Sequence, residues 1–98
     1  MARFDVYRLT DGGLVVDLQA DLLSDLTTRV VAPLLPLDGS LKAASNLNPI
    51  FNVDGEKYIL GVQFLAAIPN RELQNFVCSL SSDEQIMLKS IDMLFSGF

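Results

Sequence analysis

Over the first two-thirds of the chain, apolar and polar residues alternate in short runs separated by turn residues, a period of two that predicts strands. In residues 3–9, Phe4, Val6 and Arg8 point one way and Arg3, Asp5 and Tyr7 the other. Thr10-Asp11-Gly12-Gly13 reads as a turn, since paired glycines permit the positive φ of tight hairpins. Leu14, Val16 and Leu18 then alternate with Val15, Asp17 and Gln19, completing a hairpin with one buried face. Residues 21–26 break the pattern and read as an irregular crossing. A third strand, 27–34, is rich in β-branched residues, and Pro33 and Pro36 should confine its end to a sheet edge or an exit.

Residues 37–48 hold glycine, serine and asparagine and read as a loop or one weak helical turn. Asp54-Gly55, between the apolar runs 49–53 and 57–62, predicts a second hairpin. Residues 62–68 can prolong its second strand until Pro69-Asn70 ends it, and 71–80 are ambiguous. From residue 81 the period changes. Met87, Ile91, Leu94 and Phe98, flanked by Leu88 and Phe95, recur at three- and four-residue spacing and predict a helix running to residue 98. Ser81 with Glu84 gives it a capping-box start. Short strands followed by one helix predict a mainly β fold, a small antiparallel barrel capped by a C-terminal helix. The final Ser96-Gly97-Phe98 is unusually apolar for a terminus, so Phe98 either folds onto the core or docks into a partner.

Length and composition narrow the function. Ninety-eight residues, half of them hydrophobic, make a single domain over 1–98 with one core, of a size that dimerisation would help to stabilise. A formal charge of −5, a pI near 4.3 and dispersed basic residues argue against a nucleic-acid partner held through phosphates. One cysteine, Cys78, forbids an internal disulfide and fits a reducing cytoplasm. No apolar run has transmembrane length and the first residues lack signal-peptide architecture, so a cytoplasmic protein with no membrane contact is expected.

Catalytic groupings are scarce. Histidine is absent, which excludes Ser–His and Cys–His nucleophiles and histidine-ligated metals, and no cofactor motif is present. Gly12-Gly13 lacks the continuation of a phosphate loop. Asp17, Asp21 and Asp25 fall four apart, but across a strand end rather than on one helix face, so they make no cation site. Cys78, between Val77 and Ser79 and near Phe76 and Leu80, reads as a small buried hydrophobe. Arg29, in a strand, either snorkels outward or pairs with a carboxylate; pairing is the expected state.

Val15-Val16-Asp17-Leu18-Gln19-Ala20-Asp21-Leu22-Leu23, followed by Thr28-Arg29-Val30-Val31-Ala32-Pro33-Leu34, resembles the core of the CcdB family, the toxins of CcdA–CcdB toxin–antitoxin modules on plasmids and chromosomes. The likeness extends to Phe4-Asp5-Val6-Tyr7, to Asn48-Pro49-Ile50-Phe51-Asn52-Val53-Asp54-Gly55, to Leu65-Ala66-Ala67-Ile68-Pro69, and to the closing Ile91-Asp92-Met93-Leu94-Phe95-Ser96-Gly97-Phe98. The resemblance implies an SH3-like antiparallel β-barrel with a small accessory sheet and a long C-terminal helix, assembled as a homodimer. It implies a non-enzymatic toxin that wedges its helix ends into the A subunit of DNA gyrase, traps the cleaved-DNA complex and is removed by a CcdA-like antitoxin. Carried over by position, the gyrase contact comprises Leu22, Leu23, Asp92, Ser96, Gly97 and Phe98. Several members of the family carry a tryptophan where this chain has Ser96, and there the indole stacks on a gyrase arginine.

A rival reading on the same type of barrel is a MazF-like endoribonuclease, with Arg29 and Thr28 or Thr27 as its chemical pair. The acidic charge and the lack of a stacking aromatic beside Arg29 count against it. A binding module without toxicity is the third reading.

Overall fold

The computed structural model describes residues 2–39, 41–44 and 46–97. The fold is mainly β, with seven antiparallel strands in one curled sheet and one C-terminal helix. The strands are β1 (Asp5–Arg8), β2 (Leu14–Asp17), β3 (Thr28–Pro36), β4 (Ile50–Val53), β5 (Glu56–Leu60), β6 (Ala66–Pro69) and β7 (Asn75–Ser79), and the helix is α1 (Glu84–Ser96). The main path of the sheet runs β4-β5-β3-β2-β1-β7, and β6 branches from β3. Among the described residues no helix is long and apolar enough to cross a membrane.

Local turn chemistry sets the two hairpins. Asp54 (φ 52) and Gly55 (φ 84) are both left-handed, the geometry that lets a two-residue turn follow the strand twist. In the first hairpin Gly12 takes the positive φ, and Asp11 Oδ1 accepts the Gly13 N–H at 2.8 Å.

Strand β3 overturns the expected role of Pro33 but not of Pro36. It runs through Pro33 in the interior of the sheet, with β2 along one edge and β6, then β5, along the other, whereas Pro36 ends the strand beyond β2 and pairs with β5 alone. Pro33 is tolerated because it sits at the changeover. Its carbonyl accepts the Gly61 N–H at 2.8 Å, and its missing N–H falls where the chain leaves the sheet in the 3-10 turn Val62–Phe64. That turn also separates β5 from β6, so residues 62–68 do not continue one strand. Gly61 is closely packed there: a Cβ would lie 3.0 Å from Phe64, 3.2 Å from Leu35 and 3.3 Å from Pro33, so those side chains would have to yield.

The first hairpin is buried on both faces rather than one. Phe4, Val6, Leu14, Val16, Leu34, Phe51, Leu60 and Val62 form the main core with Met87 of α1. On the reverse side Tyr7, Val15 and Val31 pack with Leu73, delivered by the segment after β6. The ambiguous stretch 71–80 contains β7, which pairs with β1 through a register shift and sets Phe76 edge-on to Tyr7, centroids 6.0 Å apart.

The helix starts differently from expectation. Residues Ser81–Asp83 form a 3-10 turn, Asp83 stands at the N-cap without a side-chain cap bond, and α1 proper begins at Glu84. Ser81 is instead engaged locally, its N–H and hydroxyl both meeting Ser79 Oγ, so no capping box forms. Met87 and Ser90 are the buried positions of α1, and Ser90 Oγ donates to the Leu47 carbonyl at 2.6 Å.

Candidate functional site

Strand alternation carries Asp17 and Arg29 into the interior, where both side chains are fully buried. Arg29 Nη2 lies 2.6 Å from Asp17 Oδ2, and Nε donates to the same oxygen at 2.9 Å. Asp17 Oδ1 accepts the Gln19 N–H at 3.0 Å. Burial raises the Asp17 carboxyl above its ordinary value of 3.8, opposed by the Arg29 hydrogen bond and the Gln19 N–H. The pair is the expected one, and it removes the basis of the ribonuclease reading. An arginine shut inside the fold and bonded to a carboxylate presents no guanidinium to a phosphate, while Thr27 and Thr28 face solvent apart from it.

Beyond Gln19 the chain leaves the sheet in a 3-10 turn, Asp21–Leu23, which contains no buried residue. Leu22 is 93% exposed, and Leu23 and Leu26 are half exposed. At the far end of the chain Phe95 is 70% exposed, although its spacing places it in the apolar stripe. Leu23 and Phe95 meet across an open, largely apolar groove of about 470 Å³, whose walls include Arg3, Leu18, Leu65 and Ile91. The structure thus brings the Leu22–Leu23 loop beside the C-terminal half of α1, two segments separated by some seventy residues of sequence.

Ser96 and Gly97 follow Phe95 at the helix end, both exposed. Gly97 has φ 83 and donates its N–H to the Met93 carbonyl at 3.1 Å, a left-handed helix stop that a glycine adopts without strain. Asp92 is not part of this groove. It lines a separate shallow one of about 500 Å³ with Ile86 and Lys89. Phe98 lies outside the described residues.

Of the residues that line this groove, only Leu23 was among the expected contact residues. Phe95 falls inside the apolar stripe by its spacing and is exposed because it stands on the last turn of α1, which periodicity alone does not reveal. Arg3 gave no sequence signal. Its guanidinium lies 4.8 Å from the Phe4 ring centroid and its Nε donates to the Leu18 carbonyl at 3.0 Å.

An apolar groove beside exposed leucines and a phenylalanine is suited to protein contact. Among the described residues no group of three or more His, Cys, Asp and Glu side chains gathers as a metal site. Cys78 is partly buried, and burial raises its thiol above the ordinary value of 9.0, so it is a poor nucleophile. No curated protein sequence matches the chain significantly. The family model for the CcdB protein, however, matches residues 3–97. The strand pattern, the exposed loop and the helix end all lie inside that match, and the chain belongs to the CcdB family, the toxins of toxin–antitoxin modules.

Proposed function

We propose that this toxin acts without catalysis, binding the A subunit of DNA gyrase through the end of α1 and the Leu22–Leu23 loop and poisoning the enzyme on DNA. It works as a homodimer that presents two such ends, and a CcdA-like antitoxin neutralises it. The observation that carries the reading is that Leu23 and Phe95, both exposed apolar residues, share one groove, with the fully solvated Leu22 next to Leu23 in the loop. Solvated side chains of this size contribute little to the fold, whereas a partner that desolvates them gains about 1.5–3 kcal/mol for each one fully buried. The groove offers such a partner shape and apolar surface, and Arg3 supplies a cation at its wall.

The decisive experiment is induction of the chain in a wild-type bacterial host and in one carrying a CcdB-resistant gyrase, alongside direct binding to the dimerisation domain of the gyrase A subunit. The expected outcome is growth arrest in the first host, rescue in the second, and binding that Leu22→Ala with Leu23→Ala weakens. Equal arrest in both hosts with no binding overturns the assignment.

A further inference from the structure

The loop that presents Leu22 and Leu23 has no buried residue from 21 to 28, and its apolar hold is limited to the half-covered Leu23 and Leu26. Its course is set mainly by polar contacts: besides its own turn hydrogen bonds, Asn70 holds its later part, Nδ2 donating to the Leu26 carbonyl at 2.7 Å and the N–H to the Thr27 carbonyl at 3.0 Å, and two further contacts act nearer Leu22 and Leu23. Asp21 Oδ1 accepts the Arg3 N–H at 2.7 Å, but Asp21 is itself solvent-exposed. The second contact comes from inside. Gln19, only 7% exposed, donates through Nε2 to the Leu23 carbonyl at 3.0 Å while its Oε1 accepts the Val30 N–H of β3 at 3.1 Å.

Gln19 is held at its backbone as well, its N–H on Asp17 Oδ1 at 3.0 Å and its carbonyl facing Arg29 Nη2 at 3.3 Å. One side-chain amide thus joins the interior of the sheet to the Leu23 end of the loop, ahead of the part that Asn70 holds. Its orientation is dictated by its neighbours, because a flipped amide would set oxygen against the Leu23 carbonyl and nitrogen against the Val30 N–H. A buried amide brings a desolvation cost that an apolar side chain of equal size avoids. Structural need accounts for the Val30 contact alone, which any acceptor satisfies; the donor end serves only the loop.

We propose that Gln19 is the positioning residue of the gyrase-facing loop, holding the Leu23 backbone so that Leu22 and Leu23 are preset for docking beside Phe95. The proposal rests on the gyrase reading for its binding consequence. Loss of one such hydrogen bond corresponds to roughly a two- to tenfold change in an equilibrium constant, and affinity falls in proportion to the fraction of loops that remain competent.

The test uses Gln19→Glu, which keeps an acceptor for Val30 and removes the ionised side chain's donor to Leu23, and Gln19→Met, which removes both. Amide hydrogen exchange on the free protein should quicken several-fold at Leu23, Ser24 and Leu26, with Val6, Val16 and Ala32 still protected. Affinity for the gyrase A dimerisation domain should fall roughly two- to tenfold in the parent background. It should fall no further once Leu22→Ala and Leu23→Ala are present. Unchanged exchange in the loop overturns the proposal, and so does an equal affinity loss in both backgrounds, which marks a general structural role. If the parent chain binds no gyrase A, the gyrase reading fails, and exchange in the loop alone decides whether Gln19 is its tether.

Discussion

Arg29 is the largest fully buried side chain, and its charge is compensated by Asp17 alone at close range, with Asp21 3.9 Å away. Removing Arg29 leaves the Asp17 carboxyl buried without its partner, so Arg29→Met should destabilise by about 3–5 kcal/mol, and Arg29→Met with Asp17→Asn by less, Asp17→Asn alone completing the cycle. Urea unfolding of the four proteins measures this. The Asp17 carboxyl also has a pH signature. Since the folded state keeps this proton to higher pH than the unfolded chain, its contribution is full below the ordinary value of 3.8 and is lost as pH rises through the raised one. The corresponding slope in stability should be missing from Asp17→Asn. At the helix end Ser96 is exposed, so an indole there meets solvent in the free protein. Ser96→Trp should slow dissociation from gyrase A, with about 0.5–2 kcal/mol gained at each tip from stacking on an arginine. An unchanged or faster off-rate refutes that. The ionic partner of Arg29 was legible only as a class, because strand periodicity shows that a residue points inward but not which carboxylate it meets.

The helix has a buried part and an exposed end. Met87 lies in the main core, while Phe95, Ser96 and Gly97 project from it. Met87→Asp should unfold or aggregate the protein, since a carboxylate without a partner there costs upwards of about 4 kcal/mol. Deleting residues 96–98 should change stability by less than about 1 kcal/mol while abolishing growth inhibition. Thermal melting and plating efficiency separate the two outcomes, and a truncation that melts far below the parent would place the tip in the fold. The helix and both hairpins were legible because stripes and Asp-Gly turns are local signals. The start of α1 was not. Ser81 satisfies the sequence pattern of a capping box, yet Ser79, two residues upstream and positioned by its pairing with Asp5, competes for its hydroxyl and N–H.

For the whole molecule, the largest gap between sequence and structure is β7. Nothing local in Asn75–Ser79 announces a strand, because its stabilisation comes from β1 at the opposite end of the chain. The branch at β3 was hidden for the same reason: two consecutive strands, β5 and β6, share one edge of it, with the break at Gly61 set by close packing. The candidate site was half legible. Family resemblance supplied the loop and the helix end, but only folding shows that Leu23 and Phe95 share a groove and that Asp92 does not line it. A homodimer should appear in sedimentation at micromolar concentration, and a species of only 10.8 kDa would argue against it.

The pairing of β1 with β7 also has a consequence during synthesis. Strand β1 is made well before its outer partner, residues 75–79. At about 5–20 residues per second the interval between them lasts roughly 3–13 s. Through that time the Phe4 and Val6 side of the nascent hairpin has neither β7 nor Met87 to cover it. A toxin built this way cannot mature piecemeal. Nascent chains stalled before residue 75 should be cleaved readily by a protease that spares the released protein.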